Sequence, residues 1–355
     1  MENKSDYSIV KGIADNDELA GYRLCFEKNG TDRDIENLQW LHQQNLAEKN
    51  TIYYAMDKTE VAAIYTAMPV VFKVQDQTVN ALQSIDTMTD AAHRGKGLFP
   101  KLATRLYDDA QKDAYELVYG FPNENSAPGF FKKLQWVSFG EAPFLLKPLS
   151  INYFLRKLLK IKGHQGEDKR HEYPVPAFTE LSNNTVIKAL VGFDMDYEDL
   201  WKASSKQIGV GVNRGAAYMT WRYVNKPGEK YSIAGLFTNG KPEGVVVFTI
   251  KDKHGGRVGY IMELIYANED HQTGIRLLKF AKSIFKKEKT DTVLAWCFEH
   301  SFNYKSYQKS GYFDLPIKFR PQHLFLGVRI FNETQQDFTK DIKNWYISYS
   351  DSDTV

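Results

Sequence analysis

The residues whose types and spacing could do chemistry in this chain stand together at Ala92-His93-Arg94-Gly95-Lys96-Gly97-Leu98-Phe99. Two glycines strip side chains from a short turn, so the main-chain N–H groups of residues 95 to 99 can converge on one concavity. Arg94 and Lys96 add positive charge, and a helix opening at Leu98 would add the positive end of its dipole. The chemistry this supports is the grip of a polyphosphate. A dinucleotide fingerprint would require a third glycine where Pro100 stands, and a P-loop would require Gly-Lys-Ser/Thr after a longer spacer, so neither pattern fits. Pro100 suits the first turn of a helix, where its missing N–H costs nothing. The competing interpretation is a sharp turn into a helix, solvated by basic side chains.

Such a turn needs elements to position it. The alternating run Thr78 to Thr89 predicts a strand before it, and Leu98, Leu102 and Leu106, with Phe99, Ala103 and Ala110 beside them, predict a helix ending near Lys112. Glu116 to Phe121 predicts a second strand, so the pair should be parallel, with the turn at the carboxyl end of the first. The loop Gly120-Phe121-Pro122-Asn123-Glu124-Asn125-Ser126 should open on the same sheet edge, with a short helix over 127–134 after it. Asn123, Asn125 and Ser126 are either ligand contacts or helix caps. Upstream, Tyr7 to Ile13, Thr51 to Met56 and Val61 to Phe72 predict strands, and Glu18 to Lys28 and Asp34 to Glu48 predict helices.

The chain has 355 residues, enough for about two domains with separate cores. Forty-six basic against forty-four acidic residues leave a formal charge of +2, which makes no global case for nucleic acid, so any anion binding must be local. Cys25 and Cys297 have no metal-like spacing, and neither a zinc site nor a disulfide framework is expected. Absence of an apolar leader near Met1, and of any apolar run of about eighteen residues, makes a cytoplasmic protein without stable membrane insertion the default expectation. The 14% aromatic content points to a β-rich core more than to a stacking surface.

With Phe130-Phe131-Lys132-Lys133-Leu134-Gln135-Trp136 downstream, the segment His93 to Phe99 and its preceding strand resemble the GNAT superfamily of acyl-CoA-dependent N-acyltransferases. The resemblance covers residues 7 to 147, and the chain as a whole resembles the bacterial tandem, two-domain type. It implies an α+β fold: mixed, mostly antiparallel sheets, each with a splayed parallel central pair and flanking helices. It further implies acetyl-CoA as co-substrate, an amine acceptor and no metal. By the same resemblance, Arg94, Gly95, Lys96, Gly97, Leu98 and Phe99 would cradle the coenzyme A pyrophosphate. Thr87, Met88 and Thr89 would offer backbone groups to the thioester and pantetheine, and Asn123 and Ser126 would reach that arm from the other side. Two positions depart from the pattern. Ala92 replaces the usual Gln or Arg at the head of the loop, and Phe131 replaces the tyrosine that protonates the leaving thiolate in many members. Asp86, His93 and Glu124 are the titratable groups nearest the expected cleft and hence the catalytic candidates, with His93 also explicable as a loop residue facing solvent or phosphate.

Beyond Leu146 the pattern changes to a basic segment with Arg156, Lys157, Lys160, Lys162, Lys169 and Arg170 opposite Ile151, Phe154, Leu155, Leu158 and Leu159. A helix packed between domains explains it better than a membrane-surface patch. A weak repeat follows: Tyr231 to Phe237, Gly244 to Lys251 and Val258 to Ile265 as strands, a helix from Gly274 to about Phe285, and a strand at Thr292 to Phe298. Tyr307 to Tyr312 then matches Phe131 to Trp136. Trp221-Arg222-Tyr223, with Pro227 and Tyr231, resembles the C-terminal halves of bacterial tandem GNAT proteins. Where the glycine loop should recur stands Asn268-Glu269-Asp270-His271-Gln272-Thr273-Gly274, whose carboxylates would repel phosphate. The expected organisation is therefore a catalytic GNAT domain at 1–147 that binds acyl-CoA, a basic helix and linker at 148–182 and a second GNAT-like domain with a degenerate loop at 183–355, with Tyr307, Glu299 and His300 as weak acceptor contacts. The expected activity is transfer of an acetyl group to an amine of a small molecule or sugar, by a monomer with an internal pseudo-dimer or by a homodimer. The alternatives are a non-catalytic acyl-CoA sensor and a Fem-like aminoacyl transferase.

Overall fold

The computed structural model describes residues 7–47, 51–151, 153, 155, 159, 173–182, 184–267 and 271–352. Arg156, Lys157, Lys160, Lys162, Lys169 and Arg170 of the basic segment, and Asn268, Glu269 and Asp270 of the second loop, lie outside the described residues. The chain divides into two compact units that interleave in sequence. Unit 1 comprises Met1–Ala142, Lys226–Gly228 and Gln322–Ile342, and unit 2 comprises Pro143–Asn225, Glu229–Pro321 and Lys343–Val355.

In unit 1 the strands β1 (Ser8–Lys11), β2 (Ile52–Asp57), β3 (Glu60–Val74), β4 (Gln77–Thr89), β5 (Leu117–Gly120) and β6 (Val137–Glu141) form one mixed sheet. Its helices include α1 (Asn16–Lys28), α2 (Ile35–His42) and α3 (Leu98–Lys112). Strands β1 to β4 run antiparallel in sequence order, and β5 joins β4 in parallel from Ala81↔Leu117 to Ser84↔Gly120. The crossover between them is α3, whose Leu98, Leu102 and Leu106 are at most 3% exposed. Each such side chain contributes about 1.5–3 kcal/mol on burial. Against that face Tyr65 and Tyr107 share a hydroxyl contact of 2.8 Å, and the Trp136 indole N–H donates to Tyr107 at 3.0 Å. A strand from far along the chain, Phe325–Ile330, lies antiparallel to both β5 and β6.

Unit 2 repeats the plan. Its strands are β7 (Leu145–Pro148), β8 (Phe178–Ser182), β9 (Thr185–Leu190), β10 (Val210–Val212), β11 (Ser232–Thr238), β12 (Lys241–Lys253), β13 (Gly256–Tyr266), β14 (Thr292–Ala295) and β15 (Phe313–Asp314), followed in the chain by β16, the Phe325–Ile330 strand of unit 1. Strands β13 and β14 are the parallel pair, Val258↔Thr292 to Ile261↔Ala295. The helix His271–Lys287 crosses between them and buries Leu277, Leu278, Ala281 and Phe285. The edge beyond β14 is filled by β7, which follows β6 almost immediately in sequence. Unit 1 thus takes the Phe325–Ile330 strand from the second half of the sequence, and unit 2 takes β7 from the first. Both units are mixed sheets with a central parallel pair and flanking helices, as the resemblance implied.

Candidate functional site

Within unit 1 the parallel pair parts. Pairing of β4 with β5 ends at Ser84↔Gly120, while β4 continues on β3 as far as Thr89. The edge of β4 from Ser84 to Thr89 therefore faces a cavity of about 820 Å³, whose opposite wall is Phe121, Pro122, Asn123, Asn125 and Ser126. That volume falls within the range of small-molecule sites, roughly 300–1,000 Å³. A bulge falls at the divergence: Thr66 faces Asp86 and Ala67 faces Ser84, so Ile85 is the extra residue. Bulges re-aim the side chains that follow them, and the residue after this one is Asp86, 3% exposed and on the cavity wall.

Asp86 is held from two sides. The Tyr22 hydroxyl donates to Oδ2 at 2.6 Å, and the Arg33 guanidinium pairs with Oδ1. Burial first, then the Asp86 charge, pushes the Tyr22 phenol far above its ordinary pKa, so it acts as a neutral donor. Arg33 stands in the turn between α1 and α2, stacks over Phe26 at 4.9 Å and lines the cavity with Phe26, Asn29 and Thr31. None of Tyr22, Arg33, Asn29 or Phe26 was a sequence candidate. The pattern around Arg33 shows only the Asp34 helix cap, and a tertiary pairing 53 residues apart in the chain leaves no local signal.

The glycine turn sits beside this cavity. Its head is organised by Asp90, which accepts from the Ala92 N–H at 2.9 Å, and that bond is the chief reason its carboxyl is held below the usual range. Asn29, the residue ending α1, accepts from the Ala91 N–H and donates to Asp90. At the start of α3 Gly97 has φ +71°, the left-handed region that favours glycine, and a side chain there would meet no atom within 4 Å. The first N–H groups of α3 have no partner inside the helix, and the space in front of Gly97 is open. This cradle fits a polyphosphate. Arg94 and Phe99 line the cavity, and the Arg94 Nε donates to the Thr89 carbonyl at 3.3 Å. A second close approach fixes Gly129, where an added Cβ would lie 2.5 Å from the Phe99 ring.

The structure thus gathers Asp86, Thr87, Met88, Thr89, Arg94, Phe99, Asn123 and Ser126 around one cavity. Gly95, Lys96, Gly97 and Leu98 lie in the adjoining turn rather than on the lining. His93 is not on the lining either: its Nδ1 is 2.9 Å from the Tyr7 hydroxyl and 3.9 Å from Asp57. The same hydroxyl accepts from Lys96 Nζ at 2.6 Å. Glu124 is exposed and likewise off the lining. Asn123 caps its own turn, its Oδ1 accepting from the N–H groups of Asn125 and Ser126. Phe131 packs over Gly327. In unit 2, Tyr307 is a core residue, Glu299 is exposed, and His300 Nε2 is 3.0 Å from the Trp345 carbonyl. Among the described residues no group of three or more His, Cys, Asp or Glu could hold a metal, and no helix is long and apolar enough to cross a membrane.

Residues 12–138 match the sequence profile of the acetyltransferase (GNAT) domain. No curated protein sequence matches the chain. Among solved structures the fold is similar to a GCN5-related N-acetyltransferase from Anabaena variabilis (TM-score 0.63, 12% identity, 92% of this chain and 73% of that one). It is also similar to N-myristoyltransferase from Saccharomyces cerevisiae with bound myristoyl-CoA and inhibitors (0.60, 13%, 92% and 80%). A third is an Enterococcus faecalis protein described as a probable N-acyltransferase (0.59, 13%, 91% and 72%). At these identities the neighbours show the fold alone, and they span both units. The profile match covers the domain that holds the divergent strand pair and the glycine turn, so the similarity to the GNAT domain lies over residues 12–138.

Proposed function

We propose that unit 1 is an acyl-CoA-dependent N-acyltransferase that moves an acetyl group to the amine of a small molecule or sugar. The observation that carries this is the divergence of β4 from β5 after Ser84 and Gly120, which opens a cavity directly beside the Gly95–Gly97 turn. An extended pantetheine arm can pair with the exposed edge of β4 as an added strand would, while the turn and the α3 N-terminus hold the pyrophosphate. Bound acyl-CoA would supply a thioester, whose C–S bond breaks as the amine nitrogen bonds the carbonyl carbon. The proton lost from nitrogen is balanced by the one gained at the released thiol. Backbone groups of Thr87 to Thr89 orient the carbonyl, and Asp86 is the carboxylate on the lining placed to take the amine proton, directly or through water. Arg33 and Tyr22 fix its orientation. Phe131 carries no proton to give the thiolate, which favours solvent as the acid and keeps a non-catalytic acyl-CoA sensor as the second reading.

Thiol release from acetyl-CoA, measured over a broad amine panel, separates the two. Turnover that falls about 100- to 1,000-fold in Asp86→Asn is expected for a general base. Stabilisation by CoA without turnover on any amine would favour the sensor, and no rise in melting temperature with CoA would defeat both.

A further inference from the structure

The two units carry the same charged pair at the same place in the fold. In unit 2, Val247 faces Glu263 and Phe248 faces Ile261, so Met262 is the bulged residue and Glu263 follows it, as Asp86 follows Ile85. Arg214 pairs with Glu263 at 2.6 Å and precedes the helix Ala216–Tyr223, much as Arg33 precedes α2. Parallel pairing ends at Ile261↔Ala295, the counterpart of Ser84↔Gly120. Tyr346 donates to Glu263 as Tyr22 does to Asp86, and the Arg214 guanidinium lies 4.8 Å from the Tyr346 ring centre where Arg33 lies 4.9 Å from that of Phe26.

The difference lies in what fills the wedge. In unit 2 it is the chain's own segment Trp345–Ser352, every residue of which is buried. The Arg214 Nη2 donates to the Asp351 carboxylate at 2.5 Å and to Ser348 Oγ at 3.3 Å. The Glu263 Oε2 accepts from Ser348 Oγ at 2.7 Å and Ser350 Oγ at 3.0 Å. The cationic end of the pair is thus satisfied by a carboxylate, and its anionic end by polar hydrogen donors. In unit 1 the equivalent pair lines the cavity.

From this internal comparison we infer that the acceptor of unit 1 is an amine that also carries a carboxylate, an amino acid or the end of a short peptide. Its carboxylate would rest on Arg33 and its amine would face Asp86. This rests on the acyl-transfer reading above and names the acceptor class for that site. Two opposite charges held side by side offset the desolvation of both ends of a zwitterion. A diamine would instead bring like charge against Arg33.

The test is thiol release from acetyl-CoA with matched acceptors: L-serine against L-serinamide, glycylglycine against its amide, and L-lysine against cadaverine. A preference of about tenfold or more in kcat/KM for each carboxylate-bearing member is expected, the size of one charge-assisted hydrogen bond. Arg33→Gln should erase that preference and shift it toward cadaverine, because Asp86 is then uncompensated, while Arg33→Lys retains most of it. The CoA-induced rise in melting temperature should survive in both variants, which shows that they fold. Equal use of acids and amides by the unaltered protein, or an equal loss on both in Arg33→Gln, would overturn the inference. So would no turnover on any of the six while CoA still stabilises the protein. Failure of CoA to stabilise the unaltered protein would instead sink the acyl-transfer reading itself.

Discussion

Arg33 with Asp86 and Arg214 with Glu263 are one chemical pair in two environments. The side chains of the first pair are 32% and 4% exposed, and those of the second are both 0% exposed. In unit 1 both members of the pair line a cavity. In unit 2 the Trp345–Ser352 segment covers the pair, and the same chemistry holds that segment in place. The comparison teaches that one pair can stand at the same place in two sheets, and that the filling of the wedge decides which of the two borders an open cavity.

The comparison can be broken at four points. Removing one member of the sealed pair should have the largest effect: Glu263→Ala takes the shared buried acceptor from Arg214 Nε and from the hydroxyls of Ser348, Ser350 and Tyr346, and should cost about 3–5 kcal/mol in chemical denaturation. Acid should act through unit 1. His42, packed 5.9 Å from the Tyr22 ring that holds Asp86, is pushed by burial from 6.5 down to about 4. Its neutral form is kept in the folded state, whereas the unfolded chain takes up a proton below 6.5. Stability present above pH 6.5 should therefore fall by about 2–3 kcal/mol as pH drops from 6.5 to about 4. His42→Phe should flatten that slope, and an unchanged slope would remove His42 as its source.

Next in size, Gly97→Glu places a carboxylate in open space facing the phosphate cradle. At CoA near 100 times its dissociation constant it should abolish a stabilisation of about 2.7 kcal/mol. The fold should survive, since no atom stands within 4 Å of the new Cβ, at a backbone cost of about 1–2 kcal/mol. Retained CoA stabilisation in this variant would exclude the turn as the phosphate site. Smallest of all, Arg33→Gln should cost only about 1 kcal/mol of stability, because water in the cavity can reach Asp86. A loss comparable to that of Glu263→Ala would show that the two pairs are equally structural.

The parts legible beforehand were those written in local pattern. The alternation of residues 78–89 and the Leu98, Leu102, Leu106 repeat placed β4 and α3 to within a residue or so of Gln77–Thr89 and Leu98–Lys112. The strands at 241–253 and 256–266 were similarly visible, though their ends fell a few residues short. The second helix was expected to reach Glu48 and ends at His42, since Leu46 prolongs the apolar pattern without being buried. The short strands β6 and β7 and the Phe325–Ile330 strand went unseen. Strands of four to six residues carry too little periodicity to stand out, and nothing local records which sheet they join.

By itself the sequence determined the shape of the turn: two glycines, two cations and a helix start allow only a narrow set of structures, and the proposed phosphate grip rests on that shape. It also determined that the fold is repeated, because strand and helix periods recur in the same order. Tertiary structure alone decided which side chains share the cavity. Arg33, Tyr22 and Asp86 come from three separate segments, and what joins them is the bulge that aims Asp86 and the hydrogen bonds it accepts from the other two. Tertiary structure also decided the fate of the second wedge, because Trp345–Ser352 reads as an unremarkable aromatic and polar tail until it is seen to occupy the space that unit 1 leaves open.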